Sequence, residues 1–385
     1  MRSFLRISSY YPGVLIDFKN KNKNLEKMEY EQILNKFFSE NYAESNNYSK
    51  YLSKFGYNCT EIVSNDDFFQ KKWLEKYGNN KDQKKILLCQ IDYYKPEILF
   101  FGNPDILNDK LYSELKNRNF IKCIVCFICS PVDNNLLKKI LKFDGVITCT
   151  EGYKRFFLET GKIKHVMSAP HSFDFEEKNN FNYEKSIDVT FLGSLFIGQK
   201  LHNDRINLLY YLNKKIKTLR LYLNFPDYLF LKVLKFLLLN FFKNFYSSVT
   251  LIYKFLYLYF CSLPAKYGND MYAILRKSKI TINMHIGDTK YAGNMRLFEA
   301  TGSRCLLITD NKKGIENLFN INDEIVVYEN FDDLLNKINF YLDNNTQREM
   351  ITMKGYNKTF TNYNYKIKAK NIDNFFSKII KKHGV

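Results

Sequence analysis

The stretch that decides the fold is Tyr291–Asp310, YAGNMRLFEATGSRCLLITD, in which a glycine-containing loop runs into a short amphipathic helix and then an apolar strand. A nucleotide-binding half-domain needs its parts in that order. Gly293 lets the backbone approach a ligand closely, free N–H groups at the helix start favour an anion, and Glu299 can accept hydrogen bonds from ribose hydroxyls.

Outward from this stretch, strand-like apolar runs alternate with helical patterns, which predicts α/β architecture with parallel sheets covered by helices. Strands are expected at Phe4–Ser8, Ile98–Phe101, Ile121–Ile128 and Val146–Cys149 in the first half. In the second they are expected at Val189–Leu192, Leu219–Leu223, Ile280–Met284, Cys305–Thr309 and Ile325–Tyr328. A chain of 385 residues exceeds what one core usually serves, and its hydrophobic content of 45% suffices for two. The polar run 174–187 reads as a linker between a domain at 1–173 and a second at 188–363.

Near the C-terminus, Asn330 is expected to cap a helix, and Thr346 with Glu349 has the spacing of a capping box. Tyr365, Ala369, Ile372, Phe376 and Ile379 recur with helical period, so the helix of 364–385 must pack one face, expected to be against the first domain.

The eight cysteines sit mostly in apolar runs, and the N-terminus lacks the apolar region of a secretory signal, so a reducing, cytoplasmic setting is expected. Cys123, Cys126 and Cys129 imitate a cluster-binding spacing. In a strand, however, steps of three alternate faces, so they are expected to be packing residues and not metal ligands.

The net charge of +18 concentrates between Gln199 and Lys279, where fourteen basic residues face three acidic ones. No zinc-finger spacing, RNP-like segment or KH-type loop accompanies it, which argues against nucleic acid and favours phosphate-bearing small molecules or lipids. Phe225–Phe260 holds thirteen aromatics and is interrupted by lysines too often to span a membrane. Lys232, Lys235, Lys243 and Lys254 share one helical arc. Packing of its apolar side against the second domain is the favoured expectation, and a helix lying on an anionic membrane the alternative.

Neither GxxxxGK[ST] nor GxGxxG occurs, nor D-x-D, HExxH, paired CxxC or G-x-S-x-G, and the histidines are scattered at 165, 171, 202, 285 and 383. ATPase, dehydrogenase, metal and serine-hydrolase chemistries thus lack their usual support.

On these residues the chain resembles bacterial glycosyltransferases of the spore-maturation-protein-like group (glycosyl transferases group 1), within the GT-B superfamily. The resemblance is carried by SSYYPGVLIDF, by Asn65, Gln70 and Trp73, by Gln90 and Pro96, and by APHSFD. It continues in DVTFLGSL with His202 and Arg205, and is most specific in GNDMYAILRKSKITINMH, YAGNMRLFEATG and LLITD.

The resemblance implies two Rossmann-like domains facing a cleft, with the acceptor mainly on the first and a nucleotide-diphosphate sugar mainly on the second. Glu299 would grip the ribose, and Gly193 and Ser194 would offer backbone N–H groups to the diphosphate. Arg205 and Arg296, helped by Lys200 and Lys290, would neutralise the leaving diphosphate. His171 and His285 are candidates for base or hydrogen-bond donor; His285 with Asn283 would alternatively shape the sugar pocket, and Gly293 and Asn294 would help to bind the nucleotide sugar. Tyr291 stands where many retaining relatives carry a second Glu, which makes Asp288 a candidate for holding sugar hydroxyls. Ser303-Arg304 is a second departure, and the stereochemical outcome stays open.

The implied reaction moves a sugar to a hydroxyl of a glycan, lipid-linked or protein acceptor without metal or other cofactor. The resemblance implies a place in polysaccharide biosynthesis or flagellin-type modification, while the basic, aromatic insert favours a lipid-linked acceptor and peripheral contact of a cytoplasmic protein at the inner membrane face. A sugar-nucleotide epimerase and a non-catalytic membrane-associated binding protein are the rival readings.

Overall fold

The computed structural model describes residues 2–78, 86–160, 163–175, 183–198, 200–240, 245–286 and 290–382. They form two compact units, one of Met1–Asp174 with Tyr363–Val385 and one of Phe175–Asn362. Half of the expected linker, residues 176–182, lies outside the described residues.

In the first unit, strands β1 (Ser3–Ser8), β2 (Asn58–Val63), β3 (Ile98–Phe101), β4 (Cys123–Ile128), β5 (Gly145–Thr148) and β6 (Val166–Ser168) form one parallel sheet. Their spatial order is β2-β1-β3-β4-β5-β6. Period-two alternation sends Cys123, Val125 and Phe127 into one core layer and Ile124, Cys126 and Ile128 into the other. Cys123 and Cys126 are therefore packing residues on opposite faces. Cys129 behaves otherwise. Ile128 pairs with Thr148 in register, so the next residues on the two strands, Cys129 and Cys149, lie 5.4 Å apart between Cα atoms and form a disulfide. The expectation that the thiols only pack is corrected there: counting spacing within one strand cannot show a partner on its neighbour.

Helix Tyr365–Lys382 belongs to this unit. Its Tyr365, Ala369, Ile372, Phe376 and Ile379 pack with Phe4, Phe100, Val125 and Ile147.

In the second unit, β7 (Ile187–Ser194), β8 (Leu219–Asn224), β9 (Leu263–Pro264), β10 (Ser278–Asn283), β11 (Leu306–Asp310) and β12 (Val326–Tyr328) make a second parallel sheet. Here the order is β12-β11-β10-β7-β8-β9. One face, with Val189, Phe191, Ile280, Ile282, Leu306 and Ile308, packs with Ile206, Leu209, Phe255 and Leu334 from the covering helices.

Three strands escaped the sequence reading. β2 carries polar Asn58, Thr60 and Glu61, while β6 and β9 are short edge strands with three and two residues. Asn330 caps helix Phe331–Asp343 by accepting from the Asp333 N–H at 2.9 Å. The Thr346–Glu349 box is corrected: the helix already begins at Asn345, which puts Thr346 inside it.

The expectation for 225–260 holds for only half of it. Helix Phe245–Cys261 buries Ser248, Leu251, Phe255 and Leu258, but helix Leu229–Asn240 fully buries only Leu229 and leaves Phe230, Leu231, Leu234, Leu238 and Leu239 exposed. An apolar composition on every face gave no way to tell the covered side from the bare one. Lys243 lies outside the described residues.

Candidate functional site

Strands β7, β10 and β11 are neighbours and parallel, so their carboxyl ends open on one edge of the second sheet, where ligands bind in open α/β folds. Nearly every candidate of the second unit collects there. Ser194 ends β7, Asn283 ends β10 with His285 two residues on, and Asp310 ends β11.

His285 is buried and its Nδ1 lies 2.7 Å from Asp310 Oδ1, which also accepts the His285 backbone N–H at 3.0 Å. Its Nε2 accepts the Gly293 N–H at 3.3 Å. That acceptor role assigns the ring proton to Nδ1, donated to Asp310. Both ring nitrogens are engaged, which makes His285 a strut tying the loop before Arg296 to the end of β11. Burial pushes the Asp310 carboxyl up, but hydrogen bonds from His285 outweigh it, and the group sits below its ordinary value.

The same loop is tied a second time. Asn294 Nδ2 donates to Asn283 Oδ1 at 2.9 Å, and Asn283 Nδ2 donates to Thr309 Oγ1 at 2.9 Å. Helix Arg296–Gly302 then carries Glu299, buried and in an ion pair with Arg296 at 2.9 Å. Arg296 also reaches back to the Leu192 carbonyl at 3.4 Å.

Arg205, on helix Lys200–Lys215, donates to the carbonyls of Ser194 at 3.1 Å and Met284 at 2.5 Å, clamping β7 to the exit of β10. Its Nε is buried without a partner. Burial pulls its pKa down to about 10, so it stays charged at neutral pH. Beside it, His202 is held down at about 4 by burial and then by the Arg205 charge, and is neutral at pH 7. A Cβ added to Gly193 would stand 3.0 Å from the Phe191 ring and 3.9 Å from Arg205 Nη1, so only a hydrogen fits comfortably.

Other candidates fall elsewhere. Lys290 is exposed, Lys200 opens its helix with a side chain outside what is described, and Asp288 lies outside the described residues. His171 belongs to the first unit, whereas Arg296 belongs to the second. There His171 Nδ1 lies 3.4 Å from Glu44 Oε1. Glu44 also meets Lys368 at 3.2 Å and Arg6 at 3.4 Å, and Arg6 meets Glu61 at 3.4 Å, all buried. Asn41, Ala43 and Ser45 around Glu44 hold left-handed φ of 57°, 49° and 46°, a cluster of unfavourable backbone that the network fixes in place.

Sequence reasoning did not single out Asp310 or Thr309 for roles in the second unit, nor Arg6, Glu44 and Lys368 in the first, and it named His202 only as part of the resemblance. Asp310 had a signal: it is the carboxylate at the end of an apolar strand. The Glu44 network had none, because its directly bonded pairs are up to 324 residues apart.

Residues 261–374 match the family described as Glycosyl transferase-like. No curated protein matches the sequence. Among solved structures, a glycosyltransferase from Rickettsia africae superposes with a TM-score of 0.57 at 15% identity, covering 99% of both chains. Anabaena HepE, solved with UDP and glucose, gives 0.55 at 9%, covering 98% of this chain and 100% of its own. A mutant of S. aureus TarM, solved with fondaparinux, α-GlcNAc-glycerol and UDP, gives 0.54 at 13%, covering 77% of this chain. The chain spans 59% of the TarM length. The likeness to glycosyltransferases thus holds for the GT-B fold across the chain and for sequence over residues 261–374.

Proposed function

We propose, from residues 261–374 matching the glycosyl transferase-like family on a GT-B fold, that the chain is a glycosyltransferase using a nucleotide-diphosphate sugar. The observation that carries this reading is the convergence of Ser194, Arg205, His285, Asn294, Arg296 and Glu299 at one carboxyl edge of the second sheet. UDP bound to HepE and TarM favours uridine as the base to screen first.

In this reading Glu299 accepts the ribose hydroxyls, released in part from Arg296, which turns to the diphosphate. Arg205 keeps the ends of β7 and β10 together and contributes positive potential where the departing diphosphate gathers charge. His285 and Asn294 hold the loop in its bound shape, so little ordering remains when the donor arrives. The acceptor is a hydroxyl of a glycan, lipid-linked or protein molecule, and the charge on the leaving group is met by side chains without a metal. His171 is proposed as the acceptor-side base or hydrogen-bond donor, oriented by Glu44.

The test is transfer or donor hydrolysis by purified protein in EDTA across a panel of sugar nucleotides. Glu299→Ala, with the fold intact, is expected to weaken donor binding about 10- to 100-fold, the worth of hydrogen bonds to a charged group. Unchanged donor affinity overturns the reading. Product analysis without acceptor separates an epimerase, which would release an epimerised sugar nucleotide and no glycoside.

A further inference from the structure

Helix Leu229–Asn240 has two faces of different character. Leu229, Val233 and Phe236 turn to the core of the second unit. At about 100° per residue, Leu231, Leu234 and Leu238 fall on one opposite stripe and Leu239 on the side of Lys232 and Lys235, all four leucines exposed. Leu231 is 64% and Leu239 68% exposed, values more typical of charged side chains than of leucine. The following helix, Phe245–Cys261, repeats the arrangement. Behind its buried Leu251, Phe255 and Leu258 it presents Tyr246, Val249, Tyr253 and Phe260 outward at helical spacing, Tyr246 being 87% exposed.

Two adjacent helices thus show apolar stripes that are left exposed among the described residues. Soluble surfaces rarely carry contiguous apolar patches of this kind unless something docks on them. The charge around them narrows the occupant. Between Asp227 and Asp270 there is no acidic residue, while five lysines occur, at 232, 235, 243, 254 and 266. Lys232 and Lys235 are exposed on the same helix as the leucine stripe. Both also line a groove of about 620 Å³ with Ile197, Gly198, Asn203 and Phe236. That groove reaches the loop following β7, next to the Ser194 end of the candidate site.

We propose that helices 229–240 and 245–261 form a docking surface for an anionic lipid bilayer. The leucine and aromatic stripes lie at the acyl boundary, Lys232 and Lys235 extend to headgroup phosphates, and the groove is held at headgroup depth. Among the described residues no helix is long and apolar enough to cross a membrane, so the surface lies on the bilayer. Apolar stripes on two helices that carry lysines and no carboxylate match a negatively charged lipid surface, whereas a protein partner would be expected to meet some carboxylates on these helices as well.

The test uses the full chain and needs no sugar nucleotide, so it fails or succeeds independently of the transferase reading. Co-sedimentation is measured with vesicles of phosphatidylcholine alone and with vesicles containing about 30% phosphatidylglycerol, at low and high salt. Binding is expected to the anionic vesicles and to weaken with salt. Lys232→Gln and Lys235→Gln should each lower it about fivefold, the worth of one lysine near such a surface. Leu234→Glu with Leu238→Glu should abolish it while leaving the thermal midpoint unchanged, since both side chains are already exposed. No sedimentation with anionic vesicles overturns the proposal, as does wild-type binding by the double Glu variant. A dimer in sedimentation velocity that the same double variant dissolves, with no vesicle binding, would assign the surface to a second copy instead.

Discussion

His285 Nδ1 stands 2.7 Å from Asp310 Oδ1, and this contact joins the ends of two neighbouring strands to the loop that leads into Glu299. Because His285 Nε2 receives the Gly293 N–H, losing the carboxylate frees the imidazole to rotate and the loop to drift. Asp310→Asn is expected to cost about 1–3 kcal/mol in urea denaturation and to weaken donor binding more than it changes the fold. The Asp310 carboxyl is depressed in the folded state, so its stabilisation is present above the unfolded carboxyl value of about 3.9 and is lost as pH falls below it. The variant should therefore show a flatter loss of stability as pH falls below about 3.9. An identical pH profile in the two proteins would refute the strut role.

His202 gives a second pH signature in a different window. Its folded value of about 4 lies below the unfolded histidine value of about 6.5, so between these the unfolded chain binds a proton that the folded chain refuses. Stability should then fall as pH drops from about 6.5 to about 4, by up to about 1.4 kcal/mol per pH unit from this one group. His202→Gln should remove that slope while leaving the Asp310 window in place. Denaturation curves at half-unit intervals separate the two.

Gly193 tests whether the end of β7 needs bare backbone. An alanine Cβ at 3.0 Å from Phe191 must push the ring or shift the strand, and the ring in turn lies beneath Arg205, whose guanidinium carbon is 5.7 Å from its centre. Gly193→Ala is expected to cost about 1–3 kcal/mol, as overpacking does, and to lower donor affinity through the displaced Ser194 carbonyl. A stable variant with native donor binding would remove Gly193 from the site.

The parts legible in the sequence were those whose signal is local. Strands such as Ile98–Phe101 and Leu219–Asn224 are apolar runs bounded by turns, and their type and place follow from that. β2 was hidden because Glu61 looks like a surface residue until Arg6, its register partner on β1, is known. Glu299 was legible from its loop and helix, but its pairing with Arg296 and the two-sided engagement of His285 depend on distances that spacing does not encode. The disulfide is similar: Cys129 and Cys149 become neighbours only when β4 and β5 are placed side by side.

Glu44 supplies the most severe test in the first unit. Its carboxylate lies within 3.4 Å of Arg6, Lys368 and His171, all buried, and it accepts from the Tyr48 hydroxyl at 3.3 Å. Burial alone would raise its pKa. Lys368, His171 and Arg6 outweigh burial and hold it below the ordinary carboxylate range, while burial lowers the Lys368 amine. Glu44→Gln would leave two buried cations short of one anion, an imbalance worth about 3–5 kcal/mol. Adding Lys368→Met removes one of those cations and should recover part of the loss, so the double variant is expected to be more stable than Glu44→Gln alone. Strict additivity of the two substitutions in urea denaturation would show that the groups are not coupled. The same network orients His171, so if His171 acts on the acceptor, Glu44→Gln should also lower kcat at temperatures where the protein remains folded. A variant that loses stability but keeps kcat would confine Glu44 to holding the left-handed turn at Asn41, Ala43 and Ser45 in place.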